Sequence, residues 1–211
     1  MMDWLAARPL LRFALSVIAL LPACFVLWNF AGTLVAAPAI ALVKPVLLLG
    51  FPDLVDSVSL QESSMMVMSK LGEDGGVISA MEIAGNQLGW PISTRTLSYS
   101  IPFYAALHFA TPQRASLGYF GWALVALWLL LALGLLSTTL KELMLGLGQT
   151  YLHHPRAMPA DAVALSYQFS TLIVPALAPV ILWAYGASDS PLFRALLPSP
   201  ASPAQDSERS T

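Results

Sequence analysis

Long uncharged apolar runs alternate with shorter polar segments along this chain of 211 residues. Four runs have the character of membrane-spanning helices: residues 13–37, 97–110, 117–136 and 162–185. A helix of about 20 apolar residues, rising about 1.5 Å per residue, crosses the hydrocarbon core of a bilayer. The second run is shorter than that length, and the other three meet it. We predict an all-α multi-pass membrane protein with about four transmembrane helices.

The first run has a competing interpretation as a secretory signal peptide. Arg8 and Arg12 precede it, and the small residues 35–37 precede Pro38. Its apolar core exceeds the roughly 7–15 residues of a usual signal, and proline directly after the cut is a poor context for cleavage. We therefore favour a retained membrane anchor.

The polar segment at residues 53–92 separates the first two spans and carries most of the charge. Apolar and polar residues alternate at 58–61 and 77–83, which is the period of a β-strand. Glycines and acidic residues at 72–76 between these strands favour a turn. We predict a small extracytoplasmic β-hairpin that leans on the membrane surface or on a partner, because two strands alone are marginal in water. Residues 86–90 favour a loop after these strands, and Trp90 in it is a candidate interfacial anchor.

The third span continues without a breaker into a segment with helical periodicity. Its apolar positions recur at i, i+3, i+4 and i+7, and they are Leu140, Leu143, Met144 and Leu147. Lys141 and Glu142 lie off that stripe. We predict an amphipathic interfacial helix at residues 140–152. Residues 1–197 then form a single membrane domain, and residues 198–211, which lack an apolar period, form a disordered tail.

The orientation prediction depends on the first helix. Arg8 and Arg12 precede it, so the positive-inside tendency places both chain termini in the cytoplasm and residues 53–92 outside. Over all short flanks the basic residues balance, with Arg8, Arg12, Arg114 and Arg194 inside against Lys44, Arg95, Lys141 and Arg156 outside.

Composition excludes several kinds of function. Hydrophobic residues make up 57% of the chain and charged residues 10%, far below the roughly 25% charged content of globular domains. No basic run is present, so we expect no nucleic-acid partner. Cys24 is the single cysteine, and His153 and His154 are adjacent, about 100° apart on a helix, rather than at i and i+4. We predict no metal and no cofactor.

Polar and proline residues within the spans are the candidate interior features. Asn29 and Gln168 fall at similar depth in the first and last spans, which predicts an interhelical hydrogen bond of about 0.6–2 kcal/mol. Pro175 and Pro179 stand four residues apart, so together they free the carbonyls of Thr171 and Pro175. We predict a helix kink there.

Three stretches of the spans resemble the exosortase H-associated membrane proteins, small bacterial multi-pass proteins found with an exosortase, the transpeptidase-like membrane enzyme of a protein-sorting system. The stretches are residues 21–28 (LPACFVLW), 99–107 (YSIPFYAAL), and 165–169 (LSYQF) with Pro175 and 178–183 (APVILW). The resemblance implies an accessory protein of the bacterial inner membrane. No activity is established for that family, so the resemblance supplies no functional residues.

We predict a non-enzymatic accessory or interaction protein whose partners are membrane lipids and an exosortase or another membrane protein. The alternative is a small transporter or lipid-handling protein that uses the proline-kinked last helix. An intramembrane enzyme ranks third, because it would need His108 or His153 within hydrogen-bond reach of a nucleophile.

Overall fold

The computed structural model describes residues 9–61, 63–111, 117–188 and 190. The predicted tail at 198–211, and the flanking arginines Arg8, Arg114 and Arg194, lie outside the described residues. Within the described part, three helices are long and apolar enough to cross a membrane: α1 Pro9–Gly50, α5 Leu117–Leu147, and the C-terminal helix Ala160–Gly186.

Helix α1 is much longer than the predicted span at residues 13–37. It has 42 residues, hence a length of about 63 Å, against a hydrocarbon core of about 30 Å. It continues as helix through Lys44 and Pro45. Its second half buries small and aliphatic residues that recur every three or four positions: Gly32, Ala36, Ala39, Ile40, Val43 and Leu47. This half therefore packs against the rest of the protein.

A four-stranded antiparallel sheet takes the place of the predicted hairpin. Its strands are β1 Val55–Gln61, β2 Ser64–Asp74, β3 Val77–Ala80 and β4 Gln87–Ser93. The central strand is β2, because Val67 pairs with Val58 of β1 on one side and with Trp90 of β4 on the other. Strand β3 pairs with the far end of β2 across the turn at Gly75 and Gly76, both with positive φ, as a two-residue hairpin turn of this kind requires.

The remaining elements are short or interrupt longer helices. The single-turn helices are α2 Met81–Ala84, α3 Arg95–Ser98 and α6 Gln149–Leu152, and α4 is Ser100–Ala110. The C-terminal helix consists of α7 Ala160–Gln168, a π-helical turn at Phe169–Ile173, and α8 Val174–Gly186. The predicted interfacial stripe of Leu140, Leu143 and Leu147 is buried in the last turns of α5, which end before Gly148 at a φ of 52°.

The second predicted span corresponds to α3 and α4. Helix α4 has 11 residues and a length of about 16 Å, roughly half of the hydrocarbon core, so its length does not confirm a fourth span. It runs antiparallel to α5. The side chain of Leu97, just before α4, packs against Gly134 in the middle of α5. The ring of His108, near the end of α4, lies 5.1 Å from that of Phe120 at the start of α5.

One apolar core runs from the helices into the sheet. Leu47 of α1, Leu143 of α5 and Val67 of β2 are fully buried members of the same cluster. Tyr151 of α6 is also fully buried there and stacks on Phe51, with ring centroids 5.9 Å apart. The sheet and the helix ends therefore form one packed body.

Trp90 belongs to β4 and not to the predicted loop, and its role as an interfacial anchor stays a prediction. Its indole ring lies on Gly146 of α5, and a Cβ at that glycine would come within 2.6 Å of Trp90 Cζ2. Strand β4 needs a flat, close approach to α5 here, and glycine is the residue that permits it.

We expect Gly146→Ala to lower the melting temperature of the detergent-solubilised protein. Overpacking against Trp90 costs about 1–3 kcal/mol, which outweighs the gain of about 1 kcal/mol from helix propensity. Gly121→Ala on the same helix is the control, because its Cβ would enter open space, and it should leave the melting temperature unchanged or raise it. Equal behaviour of the two variants would contradict the packing of Trp90 on α5.

Candidate functional site

The predicted pair Asn29 and Gln168 is not brought together. Both side chains are exposed, and no hydrogen bond joins them among the residues that the structure describes. Pro175 and Pro179 are buried against the other helices. The cavity that Pro175 helps to line has only about 10 Å³, which is water-sized and offers no path for a substrate.

A different polar contact joins the helices. The Ser137 hydroxyl of α5 lies 2.5 Å from the Ser170 hydroxyl of the C-terminal helix, and both residues are buried. Ser137 Oγ also lies 3.0 Å from the Gly134 carbonyl, and Ser170 Oγ lies 2.6 Å from the Ser166 carbonyl. One hydroxyl can therefore donate to the other while the second donates within its own helix, so that no hydroxyl proton is left unpaired.

Ser170 lies within the π-helical turn, five residues before the predicted kink at Pro175. A π-turn places one extra residue in a helical turn, and such turns occur frequently at functional sites. The Thr171 hydroxyl donates back to the Tyr167 carbonyl at 2.6 Å. The hydrogen-bond pattern of the C-terminal helix thus changes at the level where it meets Ser137.

A polar cavity opens where β4, α5 and the C-terminal helix meet. We call it the interfacial cleft; its volume is about 140 Å³, and its polar side chains include Ser93, Thr96, Thr138, Lys141, Glu142 and Tyr167. The Lys141 ammonium lies 2.7 Å from Glu142 Oε1 and 4.6 Å from the centroid of the Tyr167 ring. The cleft therefore combines a cation, an anion, hydroxyl groups and an aromatic face.

The Lys141–Glu142 contact has an unusual geometry. Neighbouring helix residues do not face each other, so both side chains must bend toward the same side to meet. Their side chains are 23% and 32% exposed, less than those of free surface charges. Both charged groups are thus directed into the cleft rather than into open solvent.

An apolar cavity of about 340 Å³ lies on the other side of the Ser137–Ser170 contact. It is lined mainly by leucines of α5 and by Phe169 and Val174 of the C-terminal helix, together with Met158. The side chains of Leu133 and Phe169 are more than half exposed. The wall of this cavity is therefore almost wholly apolar.

The β2–β3 hairpin and α2 end in an apolar tip. Val77 is 66% exposed, Ile83 is 79% exposed, and Met81 is also exposed. Glu73, Asp74 and Glu82 are their acidic neighbours in sequence. Exposed apolar side chains beside acidic ones are typical of a protein interaction surface.

The described residues contain no cluster of His, Cys, Asp and Glu that could hold a metal ion. His153 Nδ1 contacts the Gln149 carbonyl, and His154 Nδ1 accepts a hydrogen bond from the Arg156 backbone N–H. Arg156 itself donates to the carbonyls of Leu49 and Gly50, which end α1. This loop therefore caps α1 at the edge of the sheet.

Fold and site together define a helical membrane protein with three potential spanning helices, a sheet fused to their ends and a polar cleft at the junction. The chain belongs to the exosortase H-associated membrane proteins, because the model of that family matches residues 7–190. The resemblance seen in the sequence is thereby confirmed. Comparison with curated proteins found no match, and comparison with solved structures found none either.

We expect Ser137→Ala and Ser170→Ala to be coupled in thermal unfolding. Removing either hydroxyl breaks the same interhelical contact. The loss of unfolding free energy in the double variant should therefore be smaller than the sum of the losses in the two single variants, with a coupling energy of about 0.6–1.7 kcal/mol. Thr138→Ala is the control for Ser137→Ala, because its hydroxyl donates to the Gly134 carbonyl of its own helix. Full additivity of Ser137→Ala and Ser170→Ala would contradict an energetic role for the contact.

Proposed function

We propose that the chain is a non-enzymatic accessory protein of the bacterial inner membrane that associates with an exosortase through its sheet. The observation that carries this proposal is the apolar tip at Val77, Met81 and Ile83, held by a sheet that shares one core with the membrane helices. A partner that binds the tip would meet a fixed surface at a fixed height above the bilayer.

We further propose four crossings, with both termini in the cytoplasm. The antiparallel path of α4 along α5 supports this count, because Leu97 packs at the middle of α5 and Phe120 contacts the end of α4. Trp183 near the end of α8 donates a hydrogen bond to Thr111, which follows α4. The chain thus returns from the sheet toward the end of the bundle at which α8 finishes, although α4 is short.

The charged residues lie almost entirely at the sheet end of the described part of the chain. Of the charged residues that the structure describes, Arg12 is the one remote from the sheet; the other twelve lie in the sheet, in its loops or in adjoining helical turns. Seven of those twelve are acidic. The positive-inside tendency counts basic residues and not net charge, and five of those twelve are basic, so the proposed orientation rests on Arg8 and Arg12 before the first span.

A membrane partner suits the position of the tip. The apolar tip is joined to spanning helices, so it remains within a short distance of the bilayer. A partner confined to the same membrane meets it at high effective concentration, which increases the occupancy of even a small contact. The name of the family identifies exosortase H as the candidate.

Labelling with a membrane-impermeant thiol reagent tests the orientation. In a Cys24→Ser background, we expect Ser59→Cys in β1 to react in intact spheroplasts and Ser188→Cys beyond α8 to react only after permeabilisation; both serines are exposed. The reverse pattern would overturn the orientation. Reaction of both sites in intact spheroplasts would overturn an even number of crossings.

Co-purification in mild detergent tests the tip. We expect Val77→Ser combined with Ile83→Ser to reduce recovery of a co-expressed exosortase about tenfold, because the apolar contact area is lost while the exposed positions leave the fold intact. Leu152→Ser is the control, since Leu152 is an exposed apolar residue next to the same core. Unchanged recovery with the tip variant, or an equal loss with the control, would contradict docking at the tip.

A further inference from the structure

We infer that the interfacial cleft binds a zwitterionic phosphate–ammonium group, the headgroup chemistry of a phosphoethanolamine lipid. The phosphate would contact the Lys141 ammonium, and the ligand's ammonium would contact the Glu142 carboxylate. This inference concerns a small-molecule site and is independent of the exosortase partner proposed above.

The charges in the cleft select this class of ligand. A purely anionic group would be attracted by Lys141 but repelled by Glu142 at close range. A purely cationic group would be attracted by Glu142 but repelled by Lys141. A ligand that carries both charges can oppose each of them with its counter-charge. Arg95 is exposed in the neighbouring turn and is not among the residues that line the cleft.

The hydroxyls complete the polar shell. Thr96 Oγ1 lies 3.3 Å from Ser93 Oγ, and Thr138 Oγ1 donates to a carbonyl of its own helix. Such hydroxyl oxygens keep lone pairs free to accept from an ammonium group. A volume of about 140 Å³ leaves room for several groups the size of water, which suits a headgroup and not a whole lipid.

The depth of the cleft favours a lipid as the source. Residues 117–140 of α5 are uncharged over about 36 Å, so Lys141 and Glu142 are the first charges beyond a segment longer than the hydrocarbon core. On the facing helix, Tyr167 lies near the end at which an aromatic belt residue is expected. The cleft thus stands at headgroup height under the proposed topology.

Binding to the purified full-length protein in detergent tests the inference, with short-chain phosphatidylethanolamine and phosphatidylglycerol as the probes. We expect phosphatidylethanolamine to raise the melting temperature and to bind about tenfold more tightly than phosphatidylglycerol, which lacks the ammonium group. Soluble O-phosphoethanolamine is a third probe. Binding of this probe as tight as that of the lipid would identify a free metabolite, and weaker binding would identify the lipid.

Two variants and their controls assign the contacts. Glu142→Gln should remove the preference for phosphatidylethanolamine over phosphatidylglycerol, and Lys141→Met should weaken both lipids. Lys70→Met and Glu82→Gln change exposed charges outside the cleft and should leave the preference intact. The melting temperature without lipid monitors folding of each variant. Equal binding of the two lipids by the unmodified protein, or a preference that survives in Glu142→Gln, would overturn the inference.

Discussion

The apolar stripe shared by α1, α5 and the sheet is the interaction on which the rest of the structure depends. A sheet of four strands needs a buried apolar face to be stable. Here its inner face packs on helix turns that are already ordered, so the entropic cost of forming the sheet is offset by burial against Leu47 and Leu143. The same contact holds β4 beside the C-terminal helix, and it thereby creates the interfacial cleft.

The long helices could be predicted from the sequence because their signal is local. Residues 13–37, 117–136 and 162–185 each lie within a helix of the structure. The ends of α1 and α5 could not be predicted from hydropathy, since Lys44 and Lys141 mark where the uncharged run ends and not where the helix ends. Helical periodicity continued through Leu147, but whether that face met lipid, water or a sheet depended on contacts distant in sequence.

The sheet could be predicted only in part, because one of its turns has a local signal and strand β4 has none. The turn at Gly75 and Gly76 has a strong local signal and joins β2 to β3. Strand β4 contains Gly89 and Pro91, residues that oppose strand formation, so its sequence predicts a loop. It is a strand because it is at an edge of the sheet, where Pro91 needs no partner on its outer side, and because Gly89 leaves room for Met68.

The candidate site shows how tertiary contacts decide which polar residues meet. Asn29 and Gln168 matched in depth, but depth says nothing about which side of a helix a residue occupies, and both face outward. Ser137 stands one residue beyond the predicted third span, so it was not among the polar residues predicted to lie within a span. Tyr167 is distant in sequence from Lys141 and Glu142, and only folding brings the three to one cavity. Two adjacent opposite charges directly after a long uncharged run are the available signal.

The cleft also connects the two proposed activities of the molecule physically. Its lining residues come from β4 and the turn after it, from α5 and from the C-terminal helix, and these three groups are more than 20 residues apart in sequence. A ligand that touches all three favours the state in which sheet and helices are packed together, by an amount set by its concentration relative to its dissociation constant. Since the apolar tip belongs to that sheet, a headgroup in the cleft would stabilise the surface offered to a partner, and membrane composition would influence docking without a separate conformational switch.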